Sequence, residues 1–460
     1  MSNGSPDVRR PMSTTTSEAS APPATRRGLQ HVPRARGALR ARFARRILPR
    51  MLRGMTWGRL EIEMLDGTVL TGGTGTPVAR VQERSPDLWK RLGSRGALGL
   101  GEAYTAGDMD TDDLALTIEL LARNLETAWE HTPFRQWRTF QEHRPRLKRR
   151  NRPTKAREQI SYHYDLGNDF YRLFLDETMT YSSAIYEPPG ISLEDAQLRK
   201  YRRICEELNL SADDHVLEVG CGWGGFAEVA AGEYGARVTG VTLSHEQRDY
   251  ANERMQRLGL DDRVEIRLQD YRLVEGQWSR IVSIEMLEAV GADGYDIYFA
   301  KLDSLLAPDG LAAVQVICFT DRQFRRERVT AGWVRRYIFP GGMLPTITVL
   351  AQSMTDSSRL MIHDLKEIGQ HYGPTLAAWR AKFNDHRDEV TALGFDEHFQ
   401  RAWEFYLAYT EAGFRARVIR DVQLVLTRPM NDGLDPRVLG ISDVVDRATT
   451  LTVGEAVVDG

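Results

Sequence analysis

Residues 216–225 constrain the fold of this chain more than any other segment, because an apolar run passes directly into closely spaced glycines. Gly220, Gly222 and Gly224 stand at alternate positions, and residues 226–233 after them have helical character. A loop needs glycine where its backbone adopts positive φ or lies directly against a ligand. The order of strand, glycine loop and helix favours a nucleotide-binding α/β fold, although a purely structural turn would use the same spacing.

A second strand is predicted over residues 236–244, about 20 residues beyond the first, as in dinucleotide-binding folds. Those folds usually end this strand with Asp or Glu, whose carboxylate holds the ribose hydroxyls of NAD. Thr242 occupies that position, which argues against NAD. Glu218, just before the glycine loop, is a ligand contact, a residue that fixes the loop, or an ordinary charge at a strand end.

The composition is that of a globular protein with two or three domains: 460 residues, 42% hydrophobic and 27% charged. No apolar run has the length of a membrane span, and three widely spaced cysteines show neither a disulfide framework nor a metal-site spacing. These features predict a cytoplasmic protein without a bound metal. Residues 1–33 are predicted to be a disordered tail and residues 431–460 a C-terminal tail.

Residues 34–53 predict a basic amphipathic segment, since they contain many arginines and no Asp or Glu. Apolar side chains recur there at every fourth position, at Leu39, Phe43, Ile47 and Met51. Pro49 is expected to kink or end the helix. The segment suits an anionic membrane surface; a solvated tail or a helix docked on its own protein is the alternative. Nucleic acid is not expected as a partner, because no recognition module accompanies the arginines.

A second basic run, residues 144–158, predicts a linker between two domains. Residues 54–143 before it are predicted to form a small α+β domain, with a hairpin at the turn 66–67 and largely helical structure over 103–129. Residues 159–430 carry the glycine loop and are predicted to form the α/β domain.

Residues 160–184 follow the linker and begin with the aromatic-rich sequence ISYHYDLGNDFY. Together with the glycine loop, residues 241–244 and Gln247, they resemble the cyclopropane fatty acid synthase family of S-adenosylmethionine-dependent methyltransferases. The resemblance extends from about residue 159 to the end of the chain. It implies a class I methyltransferase fold, a seven-stranded, mostly parallel sheet with helices on both faces. The preceding α+β domain resembles the extra domain of longer bacterial members.

The resemblance implies S-adenosylmethionine as the cofactor, bound at the carboxyl ends of the strands. The contacts that it implies by position are Tyr181, Ser182, Glu218, Gly220, Gly222, Gly224, Thr242, Leu243, Ser244, Gln247, Asp270 and Tyr271. Glycines would admit the methionine portion, while Thr242 and Gln247 offer hydrogen bonds. Tyr271 would stack near the adenine; by itself it would be interpreted as a core aromatic at a strand end.

Members of this family press an isolated alkene against the sulfonium methyl and shelter the resulting carbocation from water. Aromatic faces stabilise a cation without a lone pair that would trap it. The candidates are Tyr162, Tyr164, Phe170, Tyr181, Trp333, Tyr337, Phe339, Tyr372, Trp379, Tyr406 and Tyr409, of which about two thirds are expected to be core packing. In the family, residues 333–345 are an acyl-chain-facing element; by pattern alone they would be a helix end and a turn.

Loss of a proton from the cation requires a base, and family members commonly hold bicarbonate between a Cys, a Glu, a His, an Ile backbone amide and a Tyr. The matching positions here are Ser183, Glu288, Gln315, Ile317 and Tyr372. Two of the five depart from that pattern, at Ser183 and Gln315, and both exchanges lose a titratable group. The resemblance thus implies bicarbonate as a possible cofactor, while these departures count against it.

Glu285 stands three residues before Glu288, where members with the Cys and His pattern tend to have Gly. In a turn or short helix, this spacing would direct both carboxylates to one pocket. Two carboxylates in one site raise one pKa, which would give a base built into the chain. We therefore hypothesise that one of the two replaces or supports the bicarbonate. The alternative is that Glu285 is solvated or bonds the cofactor.

Two products are consistent with this chemistry, and both start from an oleoyl-type phospholipid chain at an anionic membrane surface. Direct proton loss closes a cyclopropane ring, whereas a hydride shift before proton loss leaves a 10-methylene group, which a separate reductase could reduce. Glu285 and residues 403–414 also look like mycobacterial relatives that make 10-methylated stearoyl chains, which favours the methylene product. Alternatives are a small-molecule methyltransferase and a non-catalytic lipid-binding protein. The family also suggests a homodimer. The protein is expected to be cytoplasmic and peripheral to the inner face of the membrane, as the basic segment 34–53 indicates.

Overall fold

The computed structural model describes residues 29–124, 166–327, 332–431 and 434. Within these residues, the chain forms a four-stranded sheet and a seven-stranded sheet. The predicted linker 144–158 lies outside the described residues, as do Tyr162 and Tyr164. None of the helices within the described ranges combines the length and apolar character that a membrane crossing requires.

The four-stranded sheet and the helices around it precede residue 124. In chain order, its elements are α1 (Ala38–Arg53), β1 (Arg59–Glu63), β2 (Val69–Gly73), β3 (Val78–Glu83), α2 (Asp87–Arg95), α3 (Ala97–Thr105), β4 (Met109–Thr111) and α4 (Leu114–Arg123). The strand order is β2-β1-β3-β4, with β1 antiparallel to β2 and parallel to β3. The hairpin predicted at residues 66–67 is thereby confirmed.

Three local expectations for this region are wrong. The predicted helical stretch 103–129 is interrupted by β4, which pairs with β3, and Asp113 then caps α4 by accepting a hydrogen bond from Leu116 N. Helix α1 does not end at Pro49 but continues to Arg53, because Leu52 in its last turn is buried against Gly72 of β2. Residues 29–33 are not a free tail, since Leu29 is buried and Arg91 donates to the Pro33 carbonyl.

The seven-stranded sheet has the strand order β10-β11-β9-β8-β5-β6-β7. The strands are β5 (His215–Val219), β6 (Arg237–Thr242), β7 (Val264–Leu268), β8 (Trp278–Ile284), β9 (Leu306–Phe319), β10 (Met361–Glu367) and β11 (Ile419–Thr427). Strands β5 to β9 pair in parallel, whereas β11 is antiparallel to both β9 and β10. This mixed, mostly parallel sheet is the predicted class I methyltransferase architecture.

The helices that follow residue 166 surround this sheet. They are α5 (Asn168–Arg172), α6 (Leu193–Glu207), α7 (Gly225–Gly232), α8 (His245–Leu258), α9 (Tyr295–Leu305), α10 (Asp321–Glu327), α11 (Trp333–Tyr337), α12 (Ile347–Ser357), α13 (Gly369–Asp385), α14 (Arg387–Ala392) and α15 (Glu397–Arg415). Short 3₁₀ turns cover Tyr271–Leu273 and Leu287–Val290. The two predicted segments of the nucleotide-binding unit, α7 and β6, are confirmed.

The strand order reverses between β5 and β8, and open α/β sheets bind ligands at such a switch point. The glycine loop after β5 and the turn after β8 therefore lie side by side. Gly220 has a φ of 84°, and a Cβ added there would lie 2.9 Å from Met286 Cγ. Glycine is required at this position by both its conformation and the close approach of the neighbouring turn.

The N-terminal helices pack directly on the large domain, where α15 contacts both α3 and α4. Tyr104 Oη donates to Glu404 Oε2 at 2.7 Å, and Arg401 lies over the Tyr104 ring. Tyr337 Oη donates to the buried Glu102 at 2.6 Å, which joins α11 to α3. Residues of the N-terminal region can thus contribute to a site on the large domain.

Candidate active site

A cavity of about 250 Å³ lies at the carboxyl ends of β5, β6 and β8; we name it the strand-end cavity. The predicted cofactor contacts in its wall are Tyr181, Ser182, Glu218, Gly220, Gly222, Thr242, Leu243, Gln247, Asp270 and Tyr271. Gly224 and Ser244 are not in the wall. Gly224 precedes α7 with a φ of 84°, and Ser244 caps α8 by accepting a hydrogen bond from Gln247 N. Both residues stand at the start of a helix behind the cavity, Gly224 before α7 and Ser244 before α8.

Two features of the strand-end cavity fit S-adenosylmethionine. Gly222 has a φ of 52°, and a Cβ added there would meet no atom within 4 Å, so the backbone faces open space that a ligand can fill. Glu218 is buried and its Oε2 has no hydrogen-bond partner among the described residues. Burial raises the pKa of Glu218 well above its ordinary value. A ligand that donates hydrogen bonds would satisfy this carboxyl group.

The polar groups on the β6 and β7 side can hold the rest of such a ligand. Thr242 Oγ1 donates to Gln247 Oε1 at 2.8 Å, so the amide nitrogen is the group that Gln247 can offer to a hydroxyl. Asp270 accepts hydrogen bonds from the Arg272 guanidinium, which holds the turn that carries Tyr271. The Tyr271 ring contacts Tyr298 at 5.8 Å between centroids and lines the cavity beside it.

A second cavity, of about 300 Å³, is lined mainly by apolar and aromatic side chains; we name it the apolar cavity. Its wall includes Ile118, Ala122, Ile317, Phe319, Val334, Leu344, Val418 and Ile419. Much of the segment 333–345 also lines it, as the family resemblance implies. Arg335 and Glu327 supply charge in the wall, and Arg335 Nη1 donates to the Glu327 carbonyl at 3.3 Å.

The aromatic candidates divide between this cavity and the core. Those in the wall of the apolar cavity are Tyr181, Trp333, Phe339, Tyr372, Tyr406 and Tyr409. Phe170, Tyr337 and Trp379 are buried and do not line it. Tyr181 Oη donates to Tyr406 Oη at 2.9 Å, which ties the two rings together in the wall.

Tyr181, Glu285 and Ala289 belong to the walls of both cavities. Glu285 directly follows β8 and has a φ of 50°, an uncommon conformation for a residue with a side chain. The turn after β8 thus holds a carboxylate at the junction between a polar cavity and an apolar cavity. Backbone strain of this kind persists where the surrounding contacts fix it.

Three donors fix the Glu285 carboxylate. Its Oε1 accepts hydrogen bonds from Ser183 N and from Gln315 Nε2, both at 2.8 Å. Its Oε2 accepts from Tyr372 Oη at 2.6 Å. Burial raises the pKa of Glu285, while the bonds from Tyr372 and Ser183 and the charge of Lys200 act in the opposite direction. The carboxylate is therefore held in one orientation and partly stabilised as an anion.

Glu288 lies beside it in the apolar cavity and has fewer donors. Its Oε1 accepts from Ile317 N at 2.6 Å, while Oε2 has no partner among the described residues. Burial, followed by the neighbouring Glu285 charge, raises the pKa of Glu288 to about 8. The two carboxyl groups thus line one pocket, as their spacing predicts, but differ in the number of donors that stabilise a negative charge.

Bicarbonate does not fit this arrangement. The donors that the resemblance implies for the ion are the groups at Ser183, Gln315, Tyr372 and Ile317. The first three already donate to Glu285 and the fourth to Glu288. An added anion would compete for these donors and stand against two carboxyl groups, which is electrostatically unfavourable.

Sequence reasoning missed two buried charged residues at this site. Lys200 is fully buried on α6, donates to Ser182 Oγ at 2.6 Å, and has its pKa lowered to about 8 by burial. Asp421 is fully buried on β11 and accepts a hydrogen bond from Gln315 Nε2 at 3.0 Å. A signal existed for Lys200, which is a charged residue on the buried face of α6, and for Asp421, which stands directly before the apolar run of β11.

Comparison with known proteins agrees with the fold. Tuberculostearic acid methyltransferase UfaA1 of Mycobacterium tuberculosis is 39% identical over 385 residues, 80% of this chain and 88% of that relative. Cyclopropane-fatty-acyl-phospholipid synthase of Escherichia coli is 37% identical over 381 residues, 82% of this chain and 95% of that relative.

The solved structure of mycolic acid cyclopropane synthase CmaA1 complexed with SAH and CTAB superposes with a TM-score of 0.55 at 28% identity, covering 59% of this chain and 98% of that one. The family model for mycolic acid cyclopropane synthetase matches residues 151–424. The chain therefore belongs to the mycolic acid cyclopropane synthetase family.

Proposed function

We propose that this protein is an S-adenosylmethionine-dependent C-methyltransferase that adds a one-carbon unit to the double bond of an unsaturated phospholipid acyl chain, giving a 10-methylene product. The observation that carries the proposal is the position of Glu285 in the walls of both cavities. A cofactor in the strand-end cavity and an acyl chain in the apolar cavity would meet at this carboxylate. A reaction that needs a base at their junction fits this geometry.

S-adenosylmethionine supplies an electrophilic methyl carbon, and its transfer to an alkene leaves a carbocation on the acyl chain. The residues of the chain then have to exclude water and stabilise positive charge. Apolar side chains such as Ile317 and Val334 line the acyl side, and the faces of Tyr181 and Tyr406 offer cation–π stabilisation. Burial raises the pKa of Tyr181 well above its ordinary value, so its phenol stays neutral and is a poor trap for the cation.

Glu285 acts as the base in this scheme. A C–H bond next to the cationic carbon breaks, its electron pair forms the methylene double bond, and the proton passes to the Glu285 carboxylate. For the methylene product, a hydride shift first moves the cationic centre to the methyl-bearing carbon. A carboxylate fixed by three donors accepts a proton from one direction, which supports selection of a single product. The relative named tuberculostearic acid methyltransferase supports this product class.

Helix α1 gives the protein a surface suited to an anionic membrane. Leu39 is 81% exposed and Phe43 is 50% exposed. Exposed arginines surround them on this helix, at Arg40, Arg42, Arg46 and Arg50. Apolar side chains can enter the headgroup region while guanidinium groups pair with phosphates. We therefore place the protein at the inner face of the membrane, next to its phospholipid substrate. A separate reductase for the product and a homodimer remain predictions.

The reaction is tested by expressing the protein in a bacterium with monounsaturated phospholipids and without its own cyclopropane synthase. We expect acyl chains heavier by one CH₂ unit in mass spectrometry, and oxidative cleavage that releases the methylene carbon. A Glu285→Gln variant expressed at the same level is the matched control. A cyclopropane signal in NMR would show that the product is the cyclopropane ring and not the methylene compound.

The same experiment separates the other classes of function. Unchanged fatty acids together with S-adenosylmethionine binding would indicate a lipid-binding protein without catalysis. Methylation of a soluble amine or hydroxyl compound instead of acyl chains would indicate a small-molecule methyltransferase.

The membrane surface is tested by co-sedimentation with vesicles of phosphatidylglycerol or phosphatidylcholine. We expect binding to the anionic vesicles that falls with salt and falls again when Arg40, Arg42, Arg46 and Arg50 are replaced by Ala. Equal binding to both vesicle types would contradict this part of the proposal.

A further inference from the structure

A second carboxyl group lies behind Glu285, at Asp421 on β11. The amide nitrogen of Gln315 donates to Glu285 Oε1 at 2.8 Å and to Asp421 Oδ2 at 3.0 Å, so one side chain bridges the two acids. Asp421 has no solvent exposure, and an oxygen of each carboxyl group lies against the same amide nitrogen. Asp421 touches neither cavity, so a role for it has to act through Glu285.

A chain of hydrogen bonds fixes which way the Gln315 amide faces. Arg203 Nε donates to Gln423 Oε1 at 3.1 Å, and Gln423 Nε2 donates to Gln315 Oε1 at 3.0 Å. An arginine side chain can only donate, so it sets the orientation of Gln423, which in turn sets that of Gln315. Both hydrogens of the Gln315 amide therefore face the two acids, and each acid has to accept one.

The electrostatic environment of Glu285 and Asp421 favours one negative charge on the pair over two. The titratable groups that face Asp421 are Glu285, Glu288, Lys200, Tyr372 and Cys318. Lys200 is the cation among them. Two buried carboxylates against one amide group cannot both ionise without a large electrostatic cost, so an arrangement in which the pair keeps one proton is favoured.

The number of donors decides which acid keeps the proton. Within the described part of the chain, the Glu285 side chain accepts three hydrogen bonds, from Ser183, Gln315 and Tyr372, whereas the Asp421 side chain accepts one. Asp421 Oδ1 is buried and has no partner among the described residues, which is costly for an ionised carboxylate. Burial and the Glu285 charge raise the pKa of Asp421 well above its ordinary value, in agreement with this assignment.

We propose that Asp421 is a positioning residue that stays protonated in the resting enzyme and donates a hydrogen bond to Glu285, so that the negative charge of the pair resides on the base. This proposal rests on the proposed role of Glu285. The Asp421 proton stays in place when Glu285 accepts the substrate proton, after which both acids are neutral beside Lys200. Asp421 thus keeps Glu285 ionised and aimed without touching the substrate.

Two variants separate this role from simple packing. Asn has the shape of a neutral Asp and can donate from its amide, so Asp421→Asn should leave the acid limb of the kcat against pH profile in place. Asp421→Leu removes the hydrogen-bond donor to the Glu285 carboxylate and so raises the pKa of Glu285. The acid limb of its kcat against pH profile should therefore move to higher pH by about one unit or more. S-adenosylmethionine binding, measured by calorimetry, verifies that each variant is folded.

Infrared difference spectroscopy gives a readout that does not depend on turnover. At neutral pH, we expect the carbonyl band of a protonated carboxyl group in the wild type that is absent from Asp421→Asn. An acid limb that moves to lower pH in Asp421→Asn, or a spectrum without loss of that band, would show that Asp421 is ionised and would overturn the proposal. If the protein lacks lipid methyltransferase activity, the infrared result still decides the state of Asp421.

Discussion

The strand-end cavity is built largely from backbone and polar groups that follow parallel strands, whereas the apolar cavity is built from side chains of helices, strands and loops that are far apart in the sequence. Gly220, Gly222 and Thr242 lie within one short stretch of sequence. The apolar cavity instead combines Ile118 of α4 with Ile419 of β11. Binding of the cofactor and binding of the lipid should therefore respond to different substitutions. The chemistry should respond at the shared wall, which consists of Tyr181, Glu285 and Ala289.

The largest effect is expected at the shared wall, from Glu285→Gln. Removal of a general base should lower kcat by about 10²–10⁴-fold, while the Kd for S-adenosylmethionine changes little. Turnover of oleoyl phospholipid and calorimetric binding measure the two quantities. Glu265→Gln, an exposed carboxylate on β7, is the matched control. A normal kcat in Glu285→Gln would show that Glu285 is not the base of the reaction.

A smaller effect, confined to the strand-end cavity, is expected from Gly222→Ala. Its new methyl group would occupy ligand space, so the Kd for S-adenosylmethionine should rise by about tenfold or more. Gly259→Ala is the matched control, since Gly259 also has a positive φ of 67° and open space around it, but lies at the end of α8 away from the wall. Equal losses of binding in both variants would indicate backbone strain alone.

In the apolar cavity, Ala122→Trp should raise the KM for oleoyl phospholipid vesicles several-fold and leave cofactor binding unchanged. Ala122 belongs to α4, so the effect would come from the N-terminal region. The indole would fill part of a cavity of about 300 Å³. Steady-state kinetics measure the change, with Ala122→Ser as the control for the site itself. Weakened S-adenosylmethionine binding would mean that the two cavities are not separable.

The smallest effect is expected on the pH dependence of the free energy of unfolding, to which Glu288 contributes because its pKa is raised to about 8. Because the folded state holds this proton more tightly than the unfolded chain, the free energy of unfolding should fall as pH rises from about 4.5 to about 8. Above about pH 8 this contribution no longer changes with pH. Glu288→Gln should flatten the dependence, as measured by denaturant unfolding at several pH values. An unchanged slope would contradict the raised pKa.

Much of the fold was predictable because its signals are contiguous. The glycine loop, β6 and the hairpin at residues 66–67 depend on short-range conformational requirements, and the structure contains each of them. The position of Glu285 and Glu288 in one pocket followed from their spacing. Expectations failed where packing outweighed local preference: α1 continues through Pro49, and β4 interrupts a helical pattern.

The proton network behind the base was not predictable from spacing. Asp421 is separated by 106 residues in sequence from Gln315, with which it bonds. Only the pairing of β9 with β11, which sets Gln315 opposite Gln423, brings these side chains together. Lys200 comes from a helix before the glycine loop, and its polarity gives no indication of which acids it will face. Such contacts depend on sheet topology.

If Glu285 takes the place of bicarbonate, the Glu285→Gly variant should acquire a dependence on bicarbonate. The positive φ at this position suits glycine, and removal of the carboxylate releases the donors at Ser183, Gln315 and Tyr372. Methyl transfer to oleoyl phospholipid would be measured in bicarbonate-depleted and bicarbonate-supplemented buffer. We predict a wild-type enzyme that is indifferent to bicarbonate and a weak Glu285→Gly enzyme that bicarbonate restores. A wild-type enzyme that loses activity without bicarbonate and regains it on addition would show that Glu285 does not replace the ion.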